Sequence, residues 1–372
     1  MKKLPDLSKY VENIKETFNI AVVYAGSKED PNKVIRKSIN TRSWKSYEIV
    51  ANDIAQALKR NGFKNIFVFA EGIDLLSKLK EEKVDLVWIN SGGVQGINPV
   101  SHLPALLEMA GIPYIGHNPT NATVLDNKHL LKWGLRAKDI PTSPFFVWNS
   151  NREDFTGANN TKYKRNFGDY NGPFIVKPVT GRGSVMVEYV DTIDELITII
   201  PRICHDSHGA VLVEKFLSGD EYTVAVMEPI FWQKSDFYQL DKPLTFSYTK
   251  RNLEMDEKIF TSMDVKPIDN SRFEVLTPAN HPEIIKKLAD IAQEIFLSFN
   301  LETLVRLDLR ADHNGNINVL EANPKPDLKA PQADVTSLVC CGLKQINSDY
   351  DSLIMSILGA NLKTLYMDNG NL

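Results

Sequence analysis

Three scarcities in this 372-residue chain exclude whole classes of function. Cysteine occurs three times, as Cys204, Cys340 and Cys341, with no C-x-x-C spacing. An odd count of this kind fits neither a disulfide framework nor a cysteine-ligated zinc site, and a reduced, cytoplasmic setting is the expectation. No stretch approaches the roughly 20 apolar residues of a membrane span, and Met1-Lys2-Lys3-Leu4-Pro5-Asp6 lacks the apolar run of a signal peptide, so no membrane partner is expected. No charge sign dominates: 43 Lys and Arg against 47 Asp and Glu leave a net charge of −4. A general nucleic-acid binder needs a basic excess to displace counterions, so none is expected as a partner. The chain has no repeat and no low-complexity tract. What remains is an ordinary globular composition, 43% hydrophobic and 24% charged, long enough to bury a core in roughly two to three domains.

The hydrophobic pattern predicts alternating helices and strands. Residues 7–18 have the spacing of an amphipathic helix. Asn19 to Tyr24 is an apolar run before Ala25-Gly26, which predicts a buried parallel strand and its turn. Residues 47–62 place apolar side chains at helical spacing and stop at a glycine. Strands are predicted at 66–69 and 84–89, with a helix at 75–82 between them. That β-α-β-α-β order implies a parallel sheet with right-handed crossovers, hence an α/β fold. Another helix, 103–110, closes at Gly111. A second unit begins near Asp126. Its polar stretch 149–172 predicts a loop, and strands at 174–178, 211–214 and 222–227 flank a helix at 193–200. A third unit, from Gly219, contains a helix at 282–300 and strands at 304–309 and 317–322.

Four segments carry chemistry. Val305-Arg306-Leu307-Asp308-Leu309 and Ile317 to Asn323 flank Asp312-His313-Asn314-Gly315, a hairpin turn by composition. Antiparallel pairing would set Asp308 opposite Glu321 and Asn323, and carboxylates with an amide oxygen suit a hard cation such as Mg²⁺. Arg306 adds a fixed positive charge able to clamp a phosphoryl group. For the hairpin alone, exposed acids on a solvated turn are an equal reading. Lys177 on an apolar strand precedes Gly181-Arg182-Gly183-Ser184, a small loop of the kind that cradles phosphate. Tight turns also produce such glycines. In Val211 to Tyr222, backbone near Lys215 and Leu217 could read an adenine edge and Glu221 could accept from ribose hydroxyls; a charged linker is the plainer alternative. Asp126-Asn127-Lys128, with Lys132 downstream, offers lysines to phosphate or simply starts a helix capped by Asp126.

Taken in order, these segments resemble the ATP-grasp superfamily, in its D-alanine–D-alanine ligase-like branch. Leu106-Leu-Glu-Met-Ala-Gly-Ile-Pro-Tyr-Ile-Gly116 is similar to that branch's LLE-x-x-GIPY-x-G. Val211 to Val226 resembles another signature, and Arg306, Asp308, Glu321 and Asn323 resemble its R-x-D…E-x-N end. The resemblance covers roughly residues 19–335. It implies an ATP-grasp fold, α+β in its nucleotide-binding part, preceded by a Rossmann-like parallel-sheet domain. The implied division is 1–125, 126–218 and 219–372, the last carrying the metal site. It implies that Lys128 and Lys177 contact ATP phosphates beneath the Gly181, Gly183 and Ser184 loop. Glu214, Lys215 and Leu217 would surround adenine, and Glu221 would hold ribose. Asp308, Glu321 and Asn323 would bind Mg²⁺, two ions by family expectation, with Mn²⁺ as a substitute. Arg306, Lys177 and Ser184 are the implied catalytic groups, and a homodimer is a family-level expectation.

The departures are informative too. The family's GG-x-S-x-E element, whose glutamate holds the first D-alanine ammonium, is missing. HG-x-x-GE-x-G is replaced by Asn90-Ser-Gly-Gly-Val-Gln-Gly96, and the segment after Asn323 reads Pro324-Lys-Pro-Asp327-Leu-Lys-Ala-Pro331-Gln332. The implied enzyme is an ATP-dependent ligase joining a carboxylate substrate to an amine substrate through an acylphosphate, with partners other than two D-alanines. D-alanine–D-alanine ligation proper, a small-molecule kinase and an inactive ATP-binding protein are the alternatives; intact lysines and acids argue against the last. Arg42, Trp44 and Lys45 follow the first strand, at the sheet edge where α/β folds bind ligands, and are candidates for the substrate carboxylate. Residues 228–265, rich in aromatic and basic side chains, are a candidate lid with a surface insertion as the equal alternative, and Lys258 sits where the family places a lysine near the γ-phosphate.

Overall fold

The computed structural model describes residues 1–29, 43–254, 257–259, 271–332 and 337–368. Its first layer is a parallel sheet in the order Asn65–Ala70, Asn19–Tyr24, Leu86–Asn90, Tyr114–Ile115. The apolar run of the first strand serves both faces, because successive side chains alternate. Ile20 and Val22 meet Val50, Ile54 and Leu58 of the helix Trp44–Arg60 on one side. Ala21 and Val23 meet Leu75, Leu79, Leu103 and Leu107 on the other. The helix His102–Ala110 ends on Gly111 at φ 67°, the left-handed position glycine supplies at least cost. The helix Tyr350–Leu362, which the sequence reading did not single out, completes the first face with Leu353, Ile354, Ile357 and Leu358.

A second, antiparallel sheet runs Phe145–Trp148, Val211–Lys215, Phe174–Pro178, Glu188–Val190. The strand at 222–227 is not part of it, contrary to expectation; it lies at the centre of the next sheet. Nor is 149–172 simply a loop. Asn160 caps the helix Thr161–Phe167 by accepting from the Lys162 and Tyr163 amides. Phe155 and Tyr163 are buried against Phe146 and Phe174, so a few aromatics outweigh the polar composition around them. The helix at 193 runs on to Ser207, through Pro201, because Ile203 and Cys204 have core to fill.

The third sheet is antiparallel, in the order Phe273–Val275, Leu244–Arg251, Glu221–Met227, Val305–Ala311, Ile317–Asn323. One face carries Tyr222, Val224, Val226, Val305, Leu307 and Leu309 against Leu288, Ala292 and Ile295 of the helix Pro282–Ser298. The opposite face carries Ala225, Met227 and Phe246 into the first core at one end and Glu221, Thr223, Asp308 and Arg310 at the other, and the site is built at that polar end. A small sheet pairs Lys2–Lys3 with Asp236–Gln239, which pairs with Ile230–Gln233. This removes residues 230–239 from the candidate lid, while Ile259, later in the same segment, lines the cleft between the second and third sheets. Phe231, Phe237 and Phe246 are core residues, and Trp232 N–H donates to Ser356 Oγ at 2.8 Å. Gly359 makes room for this hairpin: a Cβ there would lie 2.1 Å from the Phe237 ring. Residues 255–256 and 260–265 of the expected lid, and Arg42, lie outside the described residues. Among the described residues no helix is long and apolar enough to cross a membrane.

Candidate active site

The hairpin is the platform. Asp312 builds its turn by accepting from the Asn314 and Asn316 amides at 2.8 and 2.9 Å, with Gly315 at φ 80°. The register then pairs Asp308 with Glu321 and Arg306 with Asn323. Paired residues point to the same side, so these four share the polar face of the third sheet. Asn323 stands opposite Arg306, one step from the expected position opposite Asp308. A shift in register after Asp308 leaves Leu320 unpaired and lining the cleft, as bulges near sites often do. Neighbouring strands extend the rows: Glu221 lies between Arg251 and Arg310, and Thr223 beside Asp308.

The second sheet supplies the facing wall. An open cleft is lined by Lys128, Lys177, the loop from Gly181 to Ser184, Glu214, Lys215, Leu217 and Glu221 on one side, and Asp308 and Glu321 on the other. Lys177 enters from the strand Phe174–Pro178 and is ion-paired with Glu214. Lys128 Nζ donates to Gly181 O at 2.8 Å and lies 3.4 Å from Glu321 Oε2. Gly181, Gly183 and Ser184 have φ of 120°, 77° and 54°, a run of positive φ that turns backbone amides toward an anion. Arg306 and Asn323 stand beside the cleft through Asp308, whose Oδ1 accepts from Arg306 Nε at 2.8 Å.

Two expected roles change. The helix Lys128–Ala137 is capped by Asn127, which accepts from the His129 and Leu130 amides, and not by Asp126. Asp126 ends the preceding helix, Pro119–Asp126, and pairs with Arg182 at 2.8 Å. Lys132, offered to phosphate on spacing alone, is fully buried and pairs with Glu214 at 2.8 Å. Glu214 therefore holds two lysines in place. Burial alone would raise its carboxyl, but the Lys132 and Lys177 ammoniums outweigh it and hold the group at about 2. Trp44 and Lys45 do not line this cleft. The exposed Lys258 contributes its carbonyl, which accepts from Arg310 Nη2 at 3.1 Å.

Sequence reasoning missed Arg251 and Arg310 as site residues. Arg251 donates to Glu221 Oε1 at 2.7 Å and to Asp308 Oδ2 at 3.0 Å. Burial pushes Asp308 up, yet Arg306 and Arg251 together hold it below the ordinary carboxylate range. Burial dominates at Glu221 and raises it, against Arg251 and Arg310. Only the strand register brings these residues together, since Arg251 lies 57 positions before Asp308 in the chain. Glu71 was also missed. Ser91 Oγ donates to it at the carboxyl edge of the first sheet, and burial raises its carboxyl to about 7.

The donor set fits a hard divalent cation. Asp308 and Glu321 face each other in register with Asn323 two positions along, and the Asn323 amide nitrogen is buried with no hydrogen-bond partner. Turning that amide would present its oxygen at the same place. Among the described residues no three His, Cys, Asp or Glu side chains gather as a cage, so any cation here is held with ligand oxygens as well.

The D-ala D-ala ligase C-terminus family model matches residues 135–358. An uncharacterised protein of Sinorhizobium fredii is 26% identical over 283 residues, 75% of this chain and 74% of its own. A D-alanine–D-alanine ligase of Gloeobacter violaceus is 24% identical over 291 residues, 78% of this chain and 86% of its own. Among solved structures, D-alanine–D-alanine ligase from Bacillus anthracis complexed with ATP has a TM-score of 0.67 at 20% identity, covering 94% of this chain and 98% of that one. VanG D-Ala:D-Ser ligase from Enterococcus faecalis has a TM-score of 0.63 at 16% identity, covering 93% and 100%. The shared architecture is the ATP-grasp fold.

Proposed function

This chain belongs to the D-ala D-ala ligase C-terminus family and is an ATP-dependent ligase forming carbon–nitrogen bonds; from that premise we propose that it joins an amino-acid-like carboxylate to an amine through an acylphosphate, on substrates other than two D-alanines. The observation that carries this reading is the convergence of Lys128, Lys177 and the Gly181–Ser184 loop, across one cleft, on Asp308 and Glu321.

In this proposal the two lysines neutralise the triphosphate. Lys177 is pre-set by Glu214, so its ammonium meets the phosphate without reordering. Glycines 181 and 183 let backbone amides approach the phosphate oxygens, and Ser184 closes over them. Lys215 and Leu217 flank the base, and Glu221 accepts from ribose hydroxyls. Arg306, held by two bonds to Asp308, faces the charge that develops on the transferred phosphoryl group and then on the tetrahedral oxyanion. Mg²⁺, two ions by family analogy, would be held by Asp308, Glu321 and Asn323 and would supply charge neutralisation at the phosphates. The division at 125 and 218 is part of the same proposal, as is a homodimer. The missing D-alanine-holding elements support other substrates.

The test is a phosphate-release screen of amino acids and dipeptides in pairs, with products identified by mass. A ligase releases phosphate only when both partners are present and leaves an amide. A stable phosphorylated product from one acceptor would replace this reading with a kinase, and turnover confined to D-alanine pairs would remove the claim of other substrates.

A further inference from the structure

The second sheet ends at the strand Phe145–Trp148, which among the described residues pairs only with Val211–Lys215. Lys215 N–H donates to Pro144 O at 2.9 Å, and antiparallel rungs repeat at every second residue. Phe146 therefore spends its amide groups on the neighbouring strand, while Phe145 and Val147 turn theirs outward. Arg136 Nη2 donates to the Phe145 carbonyl at 3.4 Å. The N–H and C=O of Val147, a partly exposed residue, have no partner among the described residues.

This edge is the floor of an open groove. One wall is the helix Lys128–Ala137, which presents Trp133 and Arg136. The other is the helix Thr161–Phe167, which presents Lys162 and Arg165, and Arg152 also lines the groove. Trp133 is 56% exposed, and its ring centroid lies 4.0 Å from that of His129. All four cations are exposed, and Glu153 is the one acid among the lining residues. None of the four has an ion-pair partner among the described residues. The strip is thus strongly positive on a chain of net charge −4. It shares no lining residue with the nucleotide cleft.

Edge and charge call for the same occupant. A free N–H beside a free C=O is matched by the main chain of an extended peptide, which offers an acceptor and a donor at the strand spacing. A nucleic-acid backbone presents phosphate acceptors and would leave the Val147 carbonyl unmet. Side chains of an added strand point alternately to its two faces, and cations stand on both walls, so carboxylates are matched on either side. The exposed Trp133 indole matches an apolar side chain among them.

We propose that this groove docks an acidic, extended segment of a partner protein, which adds to the second sheet beside Phe145–Trp148. Its main chain pairs with Val147, its carboxylates meet Arg136, Arg152, Lys162 and Arg165, and one apolar side chain rests on Trp133.

The test is fluorescence anisotropy of a labelled peptide, glutamate and aspartate around a central leucine, titrated with the full chain. Combining Arg152→Glu with Lys162→Glu should weaken binding by about 10-fold or more, and ATP affinity should stay the same. Val147→Pro removes the outward N–H at an edge position, where proline is tolerated, and should weaken binding by about 10-fold, the worth of one hydrogen bond. Should Val147→Pro fail to fold, the peptide reads the same bond with the protein unaltered. With alternate amides N-methylated, one frame should lose about 10-fold and the other little. No binding of the acidic peptide overturns the proposal and leaves the cations as guards of a bare edge. Equal binding of the peptide with glutamine and asparagine in place of its acids overturns it, as does binding indifferent to N-methylation in both frames. Oligothymidylate bound as tightly as the peptide overturns it in favour of a nucleic-acid surface.

Discussion

Glu214 gives the most quantitative handle on this molecule. It is 2% exposed, ion-paired to Lys177 and Lys132, and bonded by Ser143 Oγ at 3.0 Å. Its folded pKa of about 2 lies below an unfolded value of about 4.3. That gap is worth about 3 kcal/mol, at about 1.4 kcal/mol per pH unit. Because the folded value is the depressed one, the stabilisation is complete above about pH 5 and disappears as the pH falls through about 2. Glu214→Gln should therefore cost about 3 kcal/mol at pH 7. Stripping one partner from a buried ion cluster costs about 3–5 kcal/mol, which is the same interaction counted another way. Equilibrium urea unfolding of wild type and variant from pH 7 to pH 2.5 should show the difference closing steadily below pH 5, because Glu214 of the unfolded wild-type chain takes up a proton there while the folded chain's stays ionised until about pH 2. The double variant Glu214→Leu with Lys132→Met should recover much of the loss, since no unpaired carboxylate remains and one of the two ammoniums is gone. A difference under about 1 kcal/mol at pH 7, or one that does not change with pH, would refute the assignment of Glu214 as the keystone of the phosphate-side lysines.

Arg306→Ala should lower kcat by about 10²–10³-fold with little change in ATP affinity, because its charge is called on as the transition state forms; steady-state kinetics with ATP varied would show this. Glu321→Gln should abolish the Mg²⁺ dependence of turnover together with most of the rate, and survival of both would remove Glu321 from the metal set. Arg251→Met should leave Glu221 and Asp308 as buried carboxylates without their shared guanidinium and lower stability by about 3 kcal/mol or more. Adding Mg²⁺ and ATP should raise its melting temperature by more than it raises that of the wild type. Gly219→Ala, at the bend between the second and third sheets, would set a Cβ 2.7 Å from Ala311 Cβ and 2.8 Å from two carbonyl oxygens, and should cost about 1–3 kcal/mol in unfolding measurements.

What the sequence determined by itself was local or periodic. The two-faced strand Asn19–Tyr24, the glycine-closed helix at 102–110, and the hairpin with Asp308 opposite Glu321 follow from apolar spacing and turn chemistry, which act over a few residues. Tertiary structure decided the rest. The helix Thr161–Phe167 formed in a polar stretch because four aromatics found one core. Residues 230–239, at the start of the candidate lid, became a packed hairpin because Phe237 met Gly359 more than a hundred residues away. Arg251 reached Asp308, and Lys132 turned from phosphate ligand to buried brace, through strand register and burial. Long-range partners of a charge leave no trace in its neighbours along the chain, since the field that fixes it comes from whichever strands the fold lays beside it.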